Sequence, residues 1–162
     1  DVVMYRGNLQ TRLRKLEEGA VDATLLAYAG LKRLNLADVV TSLLEVEDFL
    51  PAVGQGAICI ESRENDAATL KLLSAIHDGE TQSRLDAERA FLAVLDGSCR
   101  TPIGGLAEVN GSRLTLRGTI LKPDGSVVHD ISHEGDVSDA AAIGREAGEA
   151  LKAMAGPNFL AS

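Results

Sequence analysis

The chain has 162 residues, 45% of them apolar but only 3% aromatic, with no Trp. A core of Leu, Val, Ile and Ala is expected, in one ordinary domain or two small ones. A net charge of −8 argues against general nucleic-acid binding. No apolar run approaches the roughly 18 residues that span a bilayer, and the opening DVVMYRGN lacks the basic-then-apolar pattern of a secretory signal.

In chain order, DVVMY reads as a strand, and its start without Met as a piece of a longer fold. Asn8 can cap a helix whose Leu9, Leu13 and Leu16 fall at i, i+4 and i+7, and Gly19 suits the position just past its end. VDATLLA (21–27) is a mostly apolar strand. Strand, helix and strand within about 27 residues predict a parallel β-α-β unit. AYAGLKRLNL then leads through a loop into a short helix, and residues 37–50 mix acidic and apolar side chains up to Pro51. LPAVGQGAICIES reads as a loop entering a strand from Ala57 to Glu61, followed by a helix from about Asp66 to Ile76 with Leu70 and Leu73 inward.

HDGET (77–81) looks like a boundary. A helix over 81–96 carries Leu85, Phe91, Leu92 and Leu95 on one side and ends at Gly97. Strand patterns at 103–109, 113–121 and 127–133 are separated by Asn110-Gly111 and Pro123-Asp124-Gly125, both hairpin signals. A last helix over 138–155 is marked by Ile143, Leu151 and Met154, with Gly144 and Gly148 at a close contact. The expected fold class is α/β followed by α+β. The second part is an α-β-β-β-α domain, a three-stranded antiparallel sheet with its helices on one face.

Charge is uneven. Residues 1–33 hold six basic groups against four acidic ones, net +2, while the remaining residues hold ten against twenty, net −10. A local arginine cluster in an acidic chain points to a small anionic ligand. Ligands of open α/β sheets bind beyond the carboxyl ends of the strands, which is where Arg6 and Arg33 fall. Arg12 lies about 60° around its helix from Leu9, flanking the apolar stripe. These three can converge on one crevice, whereas Arg14 and Lys15 are expected to face water. Guanidinium forks pair bidentately with carboxylates.

Cys59 and Cys99 form no CxxC, so free thiols in a reducing, cytoplasmic setting are expected. Cys59, between Ile58 and Ile60, reads as a buried structural thiol. Cys99 sits in LDGSCRTPIGG (95–105), a glycine- and proline-rich turn after a helix end, with no histidine near it in sequence. By residue type alone it stays open between a plain loop thiol and a reactive one. His129 and His133 share a strand face about 13 Å apart, too far to chelate one ion, and read as exposed sheet histidines. Gly54-Gln55-Gly56 precedes a strand and lacks the third glycine of a dinucleotide fingerprint.

RGNLQTRLRKLEEGAVDATLLAYAGLKRL (6–34), LPAVGQGAICIESR (50–63) and ERAFLAVLDGSCRTPIGGLAE (88–108) strongly resemble porphobilinogen deaminase, in order and spacing along essentially the whole chain. The resemblance implies a transferase of tetrapyrrole and heme biosynthesis. Such an enzyme condenses four porphobilinogen units onto a cysteine-linked dipyrromethane with loss of ammonia, then hydrolyses the linear tetrapyrrole free. It places the thioether to the dipyrromethane cofactor on Cys99. It assigns Arg6, Arg12 and Arg33 to the acetate and propionate groups of the pyrroles. Gln55 and Gly56 would line the cleft, and Ala27 to Gly30 would offer backbone contacts. The azafulvene left when porphobilinogen loses ammonia is an electrophile reactive enough not to demand a strongly acidic thiol.

The resemblance also implies a division: residues 1–50 as the second half of a periplasmic-binding-protein-like domain two, 51–78 as a segment returning to domain one, and 79–162 as the cofactor-attachment domain three. The catalytic aspartate would lie in a missing N-terminal half, so no residue here inherits its role. The intact enzyme is expected to be a cytoplasmic monomer without nucleic-acid or membrane partners. Ser98 departs from the glycine many members carry before the cysteine. Two other readings make different demands: a non-catalytic anion-binding module of periplasmic-binding type would leave Cys99 dispensable, and a cysteine hydrolase would need a histidine beside it.

Overall fold

Helix α1 (Leu9–Glu17) starts and stops on the residues expected of it. In this computed structural model, which describes residues 1–96, 101–157 and 159, the Asn8 side chain accepts from Thr11 N–H at 2.9 Å. That fills a donor left over at the helix start. At the other end Gly19 N–H donates to Leu16 O at 3.0 Å and Ala20 N–H to Lys15 O at 2.9 Å. The pair forms a Schellman closure, with Gly19 at φ +73 in the left-handed region that favours glycine.

The strands expected on either side of α1 do not form. Residues 1–8 and 21–27 carry no ladder pairing, nor do 57–61. A parallel strand takes its hydrogen bonds from neighbouring strands, and among the described residues these segments have no such neighbour. Their apolar side chains stand open: Val2, Met4 and Ile58 are 104%, 80% and 78% exposed. The expected β-α-β unit is thus corrected to a helix between two unpaired apolar segments. Helix α2 (Tyr28–Arg33) follows with Leu31 buried, then a short 3-10 turn at Ala37–Val39. These elements make up a first compact unit, Asp1–Leu44.

The second unit is Glu45–Ser162. Its helix α3 (Ala67–Leu73) is capped by Asp66, which accepts from Thr69 N–H at 3.0 Å. It buries nothing, and Leu70, expected inward, is exposed. Helix α4 (Gly79–Val94) starts two residues before its expected place because Asp78, inside the apparent boundary HDGET, accepts from Thr81 N–H at 2.7 Å.

Strands β1 (Ile103–Asn110), β2 (Arg113–Leu121) and β3 (Val128–Asp136) form one antiparallel sheet in the order β1-β2-β3. Asn110 pairs with Arg113, so the first hairpin turns on Gly111 and Ser112 alone. Gly111 at φ +62 followed by a residue of negative φ is the Gly-x arrangement of a type II′ turn. In the second hairpin Gly125 N–H donates to Lys122 O at 2.8 Å, and Asp124 accepts from Ser126 N–H at 3.0 Å.

Helix α4 and the last helix, α5 (Ala140–Ala155), pack on the same sheet face, burying Phe91, Leu114, Leu116, Ile120 and Leu151 completely. Alternation places Leu114, Leu116, Gly118 and Ile120 toward the helices. The Phe91 ring rests on the cross-strand pair Gly105 and Gly118, where a Cβ on Gly118 would come within 2.5 Å of Phe91 Cζ. Gly144 and Gly148 hold α4 and α5 together as expected. A Cβ on Gly144 would sit 2.1 Å from Ala87 O, and one on Gly148 would sit 2.8 Å from Val94 Cβ. Met154, read as an apolar mark of α5, is 48% exposed.

Strand β1 is an edge by its place in the order, yet outward backbone groups at its centre have partners. Gly105 N–H donates to Pro51 O at 2.9 Å. Ala107 N–H donates to Glu88 Oε1, and Ala107 O accepts from Arg84 Nε, both at 2.8 Å. No helix among the described residues is long and apolar enough to cross a membrane.

Candidate functional site

Arg6, Arg12 and Arg33 all belong to the first unit. Arg12 leaves α1 half-buried and ties it to the segment before α2: Nη2 donates to Thr24 Oγ1 at 2.6 Å and to Leu25 O at 3.0 Å. Its Nε is shut from solvent and has no partner among the described residues. Tyr5 holds the same arginine from below, its hydroxyl donating to Arg12 O and its ring lying 5.4 Å from Arg12 Cζ. Lys15 completes the frame. Its Nζ donates to Arg6 O at 3.2 Å and lies 5.9 Å from the Tyr5 ring, so it is half-buried instead of facing water. Arg14 does face water, within 3.7 Å of Glu18.

Tyr5 and Lys15 therefore bring Arg6 and Arg12 onto one frame. Arg33 stands at the last turn of α2, where the negative end of the helix dipole favours a cation. No hydrogen bond or ion pair joins it to the other two among the described residues. Arg6 and Arg33 are both exposed, and neither is paired with a carboxylate among the described residues. Ala27 caps α2 with its carbonyl, accepting from Gly30 N–H at 3.0 Å. Beside Gly30 there is open space where a side chain would stand.

Gln55 and Gly56 lie in the second unit, exposed, in a turn whose two glycines have φ of +74 at Gly54 and +81 at Gly56. Cys99 lies outside the described residues, as do Gly97, Ser98 and Arg100. The chain is held just before them: Lys152 Nζ donates to Val94 O at 3.0 Å and stands 3.6 Å from the Asp96 carboxylate.

Cys59 is exposed, correcting the buried reading. Its segment has no strand on either side to cover it, and Arg89 Nη2 donates to its sulfur at 3.4 Å. The two sheet histidines are half-buried, not exposed. They pair across the sheet with Ile120 and Leu116, residues of the helix-facing side. His129 lies 5.2 Å from the Phe159 ring, and His133 Nε2 lies 2.8 Å from Glu146 on α5.

Sequence reasoning missed Tyr5, Lys15 and Thr24 as the holders of Arg12 and Arg6. It also missed Glu88, a carboxylate beside Ala87 and one turn before Phe91 on the buried side of α4. The signal for Glu88 was available: a charge set on the apolar face of a helix needs a specific partner.

Residues 1–71 match the family model described as "Porphobilinogen deaminase, dipyromethane cofactor binding domain", and residues 83–153 match "Porphobilinogen deaminase, C-terminal domain". Among curated proteins, a porphobilinogen deaminase of Nitrobacter hamburgensis is 55% identical over 158 residues, covering 98% of this chain and 50% of the relative. One of Nitrobacter winogradskyi is 55% identical over 154 residues, covering 95% of this chain and 49% of the relative. The chain spans about half the length of these relatives.

Proposed function

This chain belongs to the porphobilinogen deaminase family, and from that premise we propose that it is part of a hydroxymethylbilane synthase. Such an enzyme condenses four porphobilinogen units on a dipyrromethane primer, releases ammonia at each addition, and frees the linear tetrapyrrole by hydrolysis. The observation that carries this reading is the match of both family domains, in order, along the chain.

Dipyrromethane, when bound, supplies the pyrrole end that each incoming unit extends. The donor set of the first unit suits its acids. Arg6 and Arg33 offer guanidinium forks that no carboxylate of this chain occupies among the described residues. Arg12 carries a buried N–H without an acceptor, a cost that a carboxylate seated against its guanidinium would relieve. Cys99 holds the primer through a thioether. Gln55 and Gly56 line the cleft, and the backbone at Ala27 and Gly30 adds contacts.

The chain's division follows the same reading. Residues 1–50 complete a periplasmic-binding-like domain two, 51–78 return to domain one, and 79–162 form the cysteine-bearing domain three. The N-terminal half then supplies the catalytic aspartate and the strands that would pair with 1–5, 21–27 and 57–61. The whole enzyme works as a cytoplasmic monomer.

Intact mass of the full-length enzyme and of its Cys99→Ser variant tests the assignment. A dipyrromethane increment is expected on the native protein and none on the variant. Active enzyme with an unmodified Cys99 would overturn it.

A further inference from the structure

Among the described residues Glu88 alone combines a charged side chain with burial, at 6% exposure. A carboxylate in that position is tolerated only if its oxygens find donors. Both do, and the two donors come from different parts of the second unit. Oε1 accepts from Ala107 N–H on β1 at 2.8 Å, and Oε2 accepts from Gly54 N–H at 2.7 Å. One turn earlier on α4, Arg84 Nε donates to Ala107 O at 2.8 Å, so the strand side of this clip is held twice. The turn side is held by Glu88, by the Pro51 carbonyl that accepts from Gly105 N–H, and by Val53, which packs against the core.

Residues 53–56 have no ladder of their own, and Gln55 and Gly56 are exposed. Each short charge-assisted bond to a backbone amide is roughly twice as strong as a neutral one. The carboxylate is thus a direct polar restraint on the backbone beside Gln55, next to the apolar hold of Val53 on the core.

We propose that Glu88 is a positioning residue for the deaminase reaction. It fixes the Gly54-Gln55-Gly56 turn against β1, so that the turn and the sheet meet substrate as one body. This rests on the tetrapyrrole-building reading above. Glu88→Gln is the discriminating change. It keeps the volume and one acceptor but sets an amide N–H against one of the two backbone donors. Glu88→Asp keeps both oxygens but is one methylene too short to reach both.

The test uses the full-length enzyme, with amide hydrogen exchange at Gly54 and Ala107, steady-state kinetics with porphobilinogen, and intact mass. Glu88→Gln is expected to retain the dipyrromethane increment. Exchange at Gly54 should quicken by at least about tenfold, with KM rising at least about threefold and kcat much less affected. If Glu88→Gln does not accumulate as folded protein, Glu88→Asp is expected to show the same pattern more weakly. Unchanged exchange at Gly54 would overturn the proposal. So would faster exchange spread evenly over the sheet with KM unaltered, which marks a structural role only. Loss of the mass increment from the unmutated enzyme would instead refute the catalytic reading, and Gly54 exchange would still decide whether the clip exists.

Discussion

Phe91 shows how much of the second unit hangs on single atoms. Its ring is fully buried and lies where two facing strands carry glycine: a Cβ on Gly118 would stand 2.5 Å from Cζ and one on Gly105 3.3 Å from Cε1. Interiors are packed too densely to absorb an added methyl at such distances without moving a ring or a strand. Gly118→Ala is expected to destabilise the protein by about 1–3 kcal/mol in urea unfolding. Combining it with Phe91→Leu should cost less than the sum of the two single changes, because the smaller side chain vacates the contested space. Strict additivity would show that the ring does not press on Gly118. The sequence announces Phe91 as a core residue through its helical spacing. It does not announce the glycine seat, because a glycine in a strand pattern reads equally well as a bulge or a weak point.

At the scale of elements, the helices were legible and the strands only in part. Asn8, Asp66 and Asp78 each cap a helix three residues before the amide they accept from, a local relation that chain order displays directly. The hairpins were legible for the same reason: Gly111 and the Pro123-Asp124-Gly125 turn are made by neighbours. The segments 1–5, 21–27 and 57–61 have strand-like composition, but a strand is completed by a partner, which no local pattern reports.

The caps also set a pH dependence. The Thr81 backbone N–H, and after it the Thr81 side chain, holds the Asp78 carboxyl below its ordinary 3.8. Thr69 does the same for Asp66. A carboxyl whose folded value lies below its unfolded one contributes fully above the unfolded value and loses that contribution as pH falls toward the folded one. Melting temperature should therefore decline on acidification between about pH 5 and about pH 3. Asp78→Asn, a cap that does not titrate, should make the decline shallower. An unaltered slope would remove Asp78 as a contributor.

For the whole molecule, the two units differ in how far they are finished. The second has a closed core around Phe91, Leu116 and Leu151, whereas the first buries only Leu31 and leaves Val2, Val3, Met4 and Leu25 open. The candidate site divides in the same way. The frame holding Arg6 and Arg12 is built within the first unit, while Cys99 lies beyond what the structure describes. An anionic ligand could be expected from the sequence because a local arginine excess is a compositional fact. The assembly of the site could not, because Tyr5, Lys15 and Thr24 act through contacts of generic residue types. The 162-residue chain on its own is expected not to consume porphobilinogen, measured as loss of substrate over hours. It should gain that activity when co-expressed with the N-terminal half of the enzyme. Turnover by the chain alone would overturn the proposal that an N-terminal half supplies the catalytic aspartate.

The filled edge of β1 has a consequence for how the protein fails. An exposed sheet edge is a template on which a second copy can add a strand, the first step toward fibrous aggregates. Here the Pro51 carbonyl, Glu88 and Arg84 already occupy three of the groups such a strand would need, at Gly105 and Ala107. At the opposite edge, β3 displays Asp130 and Asp136, whose like charges repel a copy of themselves. Self-association of the isolated chain should therefore begin in the first unit, at the open valines near residue 2, and leave the three-stranded sheet folded inside the aggregate.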